Sequence, residues 1–463
     1  MVVGEVASAT DVLVIGGGPG GYAAALRVAA LGLEVTLVER EKVGGTCLHV
    51  GCIPSKALIH AADLAASAEP ASLWGIDLEV GVDLGRTQAQ IGRVVEKLMR
   101  GVSSLLDAAG VTLVPGTARF SKPGRVAVVE GESVRHFEFR EAIVATGSRP
   151  LELSILPFSD ARVLDSTAAL ALREVPERMV VVGGGYIGVE LGTAFAKLGS
   201  EVTLVEALPS LLPLMESRLG RVVERSLEAR GVTVLLETRA VALTDDGLEV
   251  EGPSGSSSLQ CSKIVVAVGR RPNTDDLGFD VAGVRLDELH RVIVEPSRRA
   301  ARHVLAIGDI TPGPALAHKA MAEAEVAAQT VAGRRAAFDP ATIPEVVFSD
   351  PEVVSVGLTF DDAEQEGLDP KRGRFPFSAS GRAQTLSSSK GEVEIVAVRD
   401  GTVIGVHLAG PGVSELAGEA ALAVEMSATL EDIALTIHPH PTLSESFSEA
   451  AWGALGLGLH GGR

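Results

Sequence analysis

The stretch DVLVIGGGPGGYAAALRVAALGLEVTLVER, residues 11–40, carries the pattern that decides the fold, and RMVVVGGGYIGVELGTAFAKLGSEVTLVEA, residues 178–207, repeats it. Each copy reads as an apolar strand, a glycine-rich turn, a helix of small residues and a second strand that ends in glutamate. The first glycine of such a turn permits the tight bend, the second lets a pyrophosphate approach the backbone, and the third lets the helix pack on the strand. The repeat therefore predicts two dinucleotide sites, one in each copy.

The two copies supply matching sets of candidate binding residues. The glutamate stands where a carboxylate accepts hydrogen bonds from ribose hydroxyls. Around the second glutamate the sequence TLVEALPS offers no arginine for a 2′-phosphate, which a carboxylate would also repel, so NAD is favoured over NADP there. The first glutamate suits an adenosine ribose and does not distinguish FAD from NAD. The candidate residues are Gly16, Gly18, Gly21 and Glu39 in the first copy and Gly183, Gly185, Gly188 and Glu206 in the second.

Further segments read as short buried strands that end at a glycine: residues 141–150, 263–274 and 303–310. Asp309 stands at the end of the last one, where a carboxylate meets a ligand hydroxyl or caps a turn. Beyond residue 340 the pattern changes to alternating strands, with a turn at Asp400-Gly401. We therefore expect an α/β fold with two Rossmann-like dinucleotide-binding domains and a C-terminal α+β domain with an antiparallel sheet.

The stretch GGTCLHVGCIPSKAL, residues 44–58, holds two of the chain's three cysteines, Cys47 and Cys52. We expect a helix to run on from this region through residue 68, and Gly44, Gly45 and Gly51 to leave the backbone free to bend. Cysteines near a helix N-terminus have lowered pKa values, and Lys56 would help to stabilise an anionic sulfur. Two thiols at this spacing can close a disulfide that exchanges with an external dithiol.

Two other interpretations of the cysteines compete with redox chemistry. Together with His49 and His60 they could bind zinc, but Cys-x-His-x-x-Cys is cramped for tetrahedral ligation and a second cysteine pair is absent from the sequence. They could also be inert core residues, which the flanking glycines and Lys56 argue against. We therefore predict a redox pair and no metal site.

A thiol–disulfide reaction also needs a base, and the segment TIHPHPTLSESFSEAAWG, residues 436–453, offers one. His438 and His440 each precede a proline, which favours an extended backbone. Glu445 follows and could orient the imidazole of His440, a recurrent arrangement for a catalytic base. Nothing in the sequence by itself places His440 near Cys47.

Composition limits the functional classes. The chain has 463 residues, of which 46% are hydrophobic and 22% are charged, as is typical of globular domains. Its net charge of −19 disfavours a nucleic-acid partner, and no apolar run is long enough to span a bilayer. Three cysteines do not make a secreted disulfide scaffold, and the first residues show no signal-peptide pattern, so we expect a cytoplasmic protein.

Together these motifs resemble those of the dihydrolipoamide dehydrogenase family, within the FAD-dependent pyridine nucleotide–disulfide oxidoreductases. The resemblance runs from about residue 11 to residue 453. It rests on the stretches GGTCLHVGCIPSKAL, ATGSRP, GGGYIGVELG, AVGRRPNT, AIGD, LAHKA and HPHPTLSES. It implies FAD on the first repeat and NAD on the second. It also implies a homodimer in which the base of one subunit reaches the disulfide of the other.

The resemblance assigns roles to individual residues. Cys52 would face the flavin as the charge-transfer thiolate, and Cys47 would exchange with dihydrolipoamide. His440 would be the catalytic base, oriented by Glu445. The further implied FAD contacts are Lys56, Gly116, Ala145, Thr146, Gly147, Asp309, Ala315, Leu316, Ala317 and His318, and the further implied NAD contacts are Glu190 and Gly269.

The resemblance also divides the chain and pairs Lys56 with Glu190. The implied segments are an FAD-binding domain (1–150), an NAD-binding domain (151–274), a segment that completes the FAD domain (275–340) and a dimerisation domain (341–463). Two positions depart from the family pattern. His49 stands where asparagine is usual, and Pro439 where alanine is common. Neither change removes a catalytic group, so we expect an active enzyme.

The function implied by the resemblance is the reoxidation of dihydrolipoyl groups, with electrons passed to NAD⁺. The expected partners are the lipoyl domain and the acyltransferase subunit of a 2-oxoacid dehydrogenase complex, or a glycine-cleavage assembly. One alternative is a sister reductase for glutathione or mercuric ion. Such a reductase would use NADPH, which Glu206 opposes, and a mercuric reductase would carry a C-terminal cysteine pair that residues 453–463 lack. Another alternative is a flavoprotein that only binds or assembles, which the intact set of Cys47, Cys52, His440 and Glu445 opposes.

Overall fold

The computed structural model of the chain describes residues 7–460. The chain forms two compact units. The first consists of the residues up to Ala57, Arg86–Leu151 and Gly269–Asp339, and the second of Leu58–Gly85, Glu152–Val268 and the residues from Pro340 on. In the described part of the chain, no helix is both long enough and apolar enough to cross a bilayer.

The first glycine repeat begins the main sheet of the first unit. Residues 7–150 contain β1 (Ala7–Ile15), α1 (Pro19–Ala30), β2 (Val35–Glu39), α2 (Gly45–Val50), α3 (Cys52–Ala65), α4 (Ala68–Ser72), α5 (Leu84–Ala108), β3 (Thr112–Pro115), β4 (Thr117–Lys122), β5 (Arg125–Glu130), β6 (Ser133–Val144) and β7 (Ser148–Pro150). Parallel strands run in the order β6-β1-β2-β3, while β5 and β4 add to β6 as antiparallel strands. Consecutive residues Leu13 and Val14 are both fully buried, so both faces of the sheet are covered and its strands read as unbroken apolar runs.

The second glycine repeat builds a parallel sheet in the second unit. Residues 163–266 contain β8 (Val163–Leu164), α6 (Ser166–Leu170), β9 (Arg178–Val182), α7 (Tyr186–Lys197), β10 (Glu201–Val205), α8 (Ser217–Ala229), β11 (Thr233–Leu235), β12 (Arg239–Thr244), β13 (Gly247–Gly252), β14 (Gly255–Gln260) and β15 (Lys263–Val266). The parallel order is β11-β10-β9-β15-β8, and β12-β13-β14 form a separate antiparallel sheet.

The chain then returns to the first unit. This segment contains β16 (Arg270–Pro272), α9 (Phe279–Ala282), β17 (Arg299–Ala301), β18 (Val304–Ala306), a 3-10 helix (Gly308–Ile310) and α10 (Ala317–Val331). Strand β18 pairs in parallel with β6, and β16 pairs with β7 in antiparallel fashion. The main sheet of the first unit therefore combines strands that precede residue 152 with β17 and β18, which follow residue 268.

The C-terminal part of the second unit is an antiparallel sheet with helices. It contains β19 (Glu345–Val347), β20 (Glu352–Gly357), α11 (Phe360–Gln365), β21 (Lys371–Pro376), α12 (Gly381–Thr385), β22 (Glu392–Ala397), β23 (Val403–Gly410), α13 (Ala417–Glu425), α14 (Leu430–Leu435) and α15 (Glu445–Ala454), with 3-10 helices at Phe377–Ala379 and Val413–Leu416. The strand order is β19-β20-β23-β22-β21, and every neighbouring pair is antiparallel. The predicted fold class is confirmed.

The helix predicted to run on from the cysteines is present as α3, but it begins at Cys52, leaves Cys47 on the separate helix α2 and ends at Ala65 rather than at residue 68. The backbone breaks at Gly51, where φ is −134° and ψ is −113°, so α2 ends before it and α3 begins after it. A Cβ on Gly51 would lie 2.9 Å from the Thr46 carbonyl oxygen. The glycine therefore permits the close turn between two short helices that each carry one cysteine.

Candidate active site

The first glycine turn has the geometry that its spacing predicts. Gly16 has φ of +101°, in the left-handed region that favours glycine. A Cβ on Gly16 would lie 2.4 Å from the Ala145 carbonyl oxygen, and a Cβ on Gly21 would lie 1.7 Å from the Gly16 carbonyl oxygen. The turn therefore needs glycine at both positions.

Glu39 lies beside this turn at the end of β2. Its Oε2 accepts a hydrogen bond from the Gly17 amide at 2.6 Å, and its Oε1 accepts one from the Glu41 amide at 2.7 Å. The side chain is half-buried. Two backbone donors thus hold the carboxylate at the edge of the turn, where it remains within reach of a ligand.

The second glycine turn repeats this arrangement. Gly183 has φ of +112°, and a Cβ on Gly188 would lie 1.9 Å from the Gly183 carbonyl oxygen. The Oε2 of Glu206 accepts a hydrogen bond from the Gly184 amide at 2.5 Å, and its Oε1 accepts one from the Leu208 amide at 2.7 Å. In both repeats, therefore, the glutamate carboxylate accepts a hydrogen bond from the amide of the glycine directly after the first one, Gly17 or Gly184.

Both turns fit a dinucleotide. Gly18 and Gly185 are the N-caps of α1 and α7, and a Cβ on either would project into open space. A helix N-terminus presents backbone N–H groups and the positive end of the helix dipole, which favour a pyrophosphate. The residues present can therefore hold one dinucleotide in each repeat.

The cysteine segment is packed directly on the first glycine turn. The Gly44 amide donates to the Gly17 carbonyl oxygen at 2.8 Å. A Cβ on Gly45, whose φ is +57°, would lie 2.6 Å from the Gly18 Cα. The glycines before Cys47 therefore let the segment approach the same backbone that would hold the first dinucleotide.

Cys47 lies in α2 and Cys52 is the first residue of α3. Both are thiols in this structure, and the two side chains are hydrogen-bonded to each other. This hydrogen bond and burial raise the pKa of Cys47 well above its usual value, while the nearby Lys56 ammonium acts in the opposite direction. The expected lowering of the Cys47 pKa is therefore wrong for the dithiol state, because a second thiol stands beside it.

His49, the departure from the family pattern, lies between the two cysteines in α2. Its Nε2 is 2.8 Å from the Val43 carbonyl oxygen, which can only accept, so Nε2 carries the proton. The imidazole thus fastens α2 to the residues before it. Within residues 7–460, no group of three or more His, Cys, Asp and Glu side chains is arranged to hold a metal ion.

The loop that follows β6 is fastened to residues far along the chain. Thr146 Oγ1 donates to the Asn273 carbonyl oxygen at 2.7 Å, and the Asn273 amide donates to the Gly147 carbonyl oxygen at 2.8 Å. Ser148 Oγ donates to Asp309 Oδ2 at 2.5 Å. Ser148 and Asn273 are not predicted from the sequence, because neither pairing follows from a local pattern.

The other predicted binding residues lie in turns and in helices. In the second unit, Glu190 is 3% exposed and its Oε1 accepts from the Phe348 amide at 3.0 Å. The pairing of Glu190 with Lys56 stays a prediction. The remaining residues are Gly116 between β3 and β4, Ala145 after β6, Gly269 before β16, Lys56 in α3, Ala315 and Leu316 before α10, and Ala317 and His318 in its first turn.

The structure brings His440 and Glu445 together. His440 Nδ1 lies 2.8 Å from Glu445 Oε1, and Glu445 Oε2 accepts from the Thr442 amide at 2.8 Å. Burial raises the pKa of Glu445, but the hydrogen bonds from Thr442 and His440 outweigh it and hold the pKa below its usual value. The ionised carboxylate fixes the proton on Nδ1, and the side chain of His440 is 79% exposed, which leaves Nε2 open to a substrate.

Comparison with known proteins identifies the family. Residues 10–324 match the family model "Pyridine nucleotide-disulphide oxidoreductase", and residues 343–451 match its dimerisation domain. The chain belongs to the pyridine nucleotide–disulphide oxidoreductases. The predicted family is confirmed, and with it the prediction of an NAD-dependent flavoprotein oxidoreductase that uses FAD and NAD(H). The match to the dimerisation domain supports a homodimer.

Full-length relatives and a solved structure agree with this assignment. The chain is 46% identical to the dihydrolipoyl dehydrogenase of Halobacterium salinarum and 45% identical to that of Geobacillus stearothermophilus, and each alignment covers 99% of both chains. The crystal structure of LpdA from Mycobacterium tuberculosis superposes with a TM-score of 0.89 at 28% identity, over 96% of this chain and 99% of that one. This pyridine nucleotide–disulphide oxidoreductase therefore shares both its sequence and its fold with known family members.

Proposed function

We propose that the chain is a dihydrolipoyl dehydrogenase, which reoxidises dihydrolipoyl groups and passes the electrons to NAD⁺. The names of the full-length relatives support this substrate. The observation that carries the proposal is the pair of Cys47 and Cys52, placed on α2 and α3 directly after the glycines that pack against the first glycine turn. In its oxidised form, a disulfide, this pair can exchange with a substrate dithiol, and in its reduced form it can pass two electrons to a bound flavin.

The thiol chemistry starts from the disulfide form of the pair. His440 accepts a proton from one dihydrolipoyl thiol, and the resulting thiolate attacks Cys47 Sγ. The Cys47–Cys52 bond breaks and Cys52 leaves as a thiolate. The second substrate thiol then attacks the mixed disulfide, closes the lipoyl ring and releases Cys47. The substrate has lost two electrons, and the protein has gained them as a dithiol.

The cofactors complete the reaction when they are bound. FAD supplies the two-electron step between the dithiol and NAD⁺, which side chains cannot perform. In the proposal the first glycine turn and Glu39 hold FAD, together with Lys56, Asp309 and the start of α10. The second glycine turn and Glu206 hold NAD⁺, with Glu190 pairing with Lys56. The division into segments at residues 150, 274 and 340 belongs to the same proposal.

The proposed assembly places the base and the disulfide on different subunits. In the homodimer, His440 of the partner subunit would generate the substrate thiolate. That thiolate would then attack the Cys47–Cys52 disulfide of the first subunit. The ring of His440 is 79% exposed within its own subunit, which leaves it available for this contact. The substrate is a lipoyl domain, carried with the acyltransferase subunit of a 2-oxoacid dehydrogenase or glycine-cleavage complex. We propose that the enzyme works in the cytoplasm.

The test is an anaerobic titration of the purified holoenzyme with dihydrolipoamide and then with NAD⁺, followed by visible absorbance. A long-wavelength charge-transfer band should form with dihydrolipoamide, because Cys52 becomes a thiolate against the flavin. The band should disappear as NADH forms after NAD⁺ is added. An enzyme that dihydrolipoamide fails to reduce, while NADPH reduces it readily, would be a sister reductase instead.

Two serine variants make the titration specific for the cysteine pair. Cys52→Ser should abolish both the band and the turnover. Cys261→Ser is the matched control, because Cys261 is half-buried between β14 and β15 and burial raises the pKa of its thiol. Cys261→Ser should titrate as the wild type does. Turnover that survives Cys52→Ser would rule out the proposed dithiol mechanism.

A further inference from the structure

A second imidazole–carboxylate pair stands two residues before His440. His438 Nε2 lies 2.7 Å from Glu419 Oε1, and His438 Nδ1 lies 3.0 Å from the Thr436 carbonyl oxygen. The side chain of His438 is 5% exposed, whereas that of His440 is 79% exposed. The catalytic base thus projects outward from a segment whose preceding histidine is packed inward.

Both partners of the His438 ring are acceptors. A backbone carbonyl can only accept, so Nδ1 donates to the Thr436 carbonyl oxygen. Nε2 faces the Glu419 carboxyl group at hydrogen-bond distance. The ring is therefore held between α13, which carries Glu419, and its own backbone. His438 is fixed in position and in orientation.

A single proline separates the fixed ring from the catalytic one. Pro439 locks its own φ and restricts the backbone of His438 to extended conformations, and Pro441 restricts His440 in the same way. The chain between the two imidazoles therefore has few rotations with which to absorb a displacement. On the far side, Glu445 holds His440 Nδ1 at 2.8 Å.

We propose that His438 is a positioning residue for His440, and that the Glu419–His438 pair sets the place of the catalytic base through Pro439. This inference rests on the proposed function, because it assigns His438 to the same proton transfer. Glu445 orients the imidazole of His440, and the Glu419–His438 pair anchors the backbone that carries it. A displacement of about 1 Å at a reacting group can cost on the order of 100-fold in rate.

The chain contains a matched pair without this connection. His460 Nδ1 lies 2.7 Å from Glu449 Oε1, the same contact distance as in the His438–Glu419 pair. The His460 side chain is 69% exposed, and no proline links it to a catalytic residue. Variants at His460 therefore remove the same kind of imidazole–carboxylate contact without touching the backbone of His440.

The experiment measures steady-state turnover of the holoenzyme variants His438→Leu, His438→Gln and His460→Leu. With dihydrolipoamide, kcat of His438→Leu should fall by about 10-fold to 100-fold, while the KM for NAD⁺ stays constant. Glutamine keeps a donor toward Glu419, so His438→Gln should recover part of the loss. His460→Leu should match the wild type. Reduction of ferricyanide by NADH needs no thiol deprotonation and should be unchanged in all variants.

A double-variant cycle tests the connection through Pro439. If the anchor acts through this proline, Pro439→Ala combined with His438→Leu should lose little more activity than His438→Leu alone. Independent effects would instead multiply. Multiplying effects would show that His438 does not act through Pro439, and the proposal would be wrong.

The outcomes separate this inference from the proposed function. A wild-type enzyme that does not oxidise dihydrolipoamide refutes the proposed function and removes the inference with it. A wild type that oxidises dihydrolipoamide, together with unchanged kcat in His438→Leu, refutes the inference alone. Equal losses in the dihydrolipoamide and ferricyanide reactions would show general damage to the fold, and they would also overturn the positioning role.

Discussion

The two glycine repeats share one backbone design and differ in the segment that docks on it. In the first repeat the Gly17 carbonyl oxygen accepts from the Gly44 amide at 2.8 Å, and in the second the Gly184 carbonyl oxygen accepts from the Leu212 amide at 2.9 Å. The hydrogen bond is therefore repeated. In the first copy the donor belongs to the cysteine segment, whereas in the second it belongs to an apolar loop.

The difference explains how one motif serves two roles. In the second repeat Leu211 and Leu212 are 0% and 4% exposed, so the docking segment there only packs. In the first repeat the docking segment brings two thiols to the glycine turn. In the proposed function the backbone of each turn binds a dinucleotide, and the docked segment decides whether redox chemistry takes place beside it.

The largest expected effect comes from filling the third glycine of each repeat. In Gly21→Ala the new Cβ would lie 1.7 Å from the Gly16 carbonyl oxygen, and in Gly188→Ala it would lie 1.9 Å from that of Gly183. We expect Gly21→Ala to purify without yellow colour and to lose all activity. Gly188→Ala should keep the flavin and be reduced by dihydrolipoamide, but should not form NADH. Absorbance of the purified proteins and stopped-flow reduction measure both.

Loss of the same cofactor from Gly21→Ala and Gly188→Ala would contradict the assignment of one dinucleotide to each glycine turn. Flavin loss from Gly188→Ala would mean that the second turn supports the whole chain rather than its own dinucleotide. Circular dichroism on both variants, with the thermal midpoint recorded, distinguishes loss of a cofactor from loss of the fold.

The next effect tests the docking of the cysteine segment. In Gly45→Ala the added Cβ would lie 2.6 Å from the Gly18 Cα, so the segment must move away from the turn. We expect turnover with dihydrolipoamide to fall by about 100-fold, while reduction of ferricyanide by NADH persists. The measurement is the ratio of these two activities.

Gly75→Ala is the matched control for this prediction. Gly75 also has a left-handed backbone, with φ of +73° against +57° for Gly45, but a Cβ there would meet nothing within 4 Å. Both substitutions carry the same kind of backbone strain. An equal loss in the two variants would show that strain, rather than the contact with Gly18, reduces the activity.

The two glutamates give a smaller and more selective effect. Glutamine in place of Glu206 keeps an oxygen for the Gly184 amide at 2.5 Å but removes the charge that repels a 2′-phosphate. We expect the ratio of kcat/KM for NADP⁺ to that for NAD⁺ to rise by about 10-fold, or ~1.4 kcal/mol. Glu39→Gln should leave this ratio unchanged and weaken FAD binding instead. A shift in the ratio for both variants would contradict the assignment of one dinucleotide to each repeat.

Local patterns made the two turns predictable from the sequence. The glycine spacing indicates the positions at which the turn has no room for a Cβ. The glutamate at the end of the second strand is predicted by the same short strand–turn–helix–strand unit. The alternation of apolar residues likewise indicated the antiparallel C-terminal sheet. The exact break at Gly51 did not follow from the sequence, because a glycine inside a helical pattern does not by itself end the helix, and only the close approach to Thr46 reveals the turn.

Long-range hydrogen bonds explain what the sequence could not show. Ser148 and Asp309 are 161 residues apart, and His438 and Glu419 are 19 residues apart. No periodicity relates such pairs, since they meet only after the strands and helices have packed. The shift of the Cys47 pKa could not be predicted for the same reason. Whether this pKa rises or falls depends on the neighbouring thiol in the folded dithiol state.

The smallest expected effect concerns the residue just before the third glycine, Gly20 in the first repeat and Ile187 in the second. A Cβ on Gly20 would lie 3.1 Å from the Ala320 Cβ, because α10 packs there on α1. We expect Gly20→Ala to cost about 1 kcal/mol of stability and Gly20→Val to cost more, since each added atom must push α10 away. At residue 187 the order should reverse, with Ile187→Ala less stable than Ile187→Val, because the half-buried side chain loses more apolar surface when it is cut back further. The thermal midpoints of the four holoenzyme variants measure both series. If stability changed with side-chain size in the same way at residues 20 and 187, helix packing would not distinguish the two repeats.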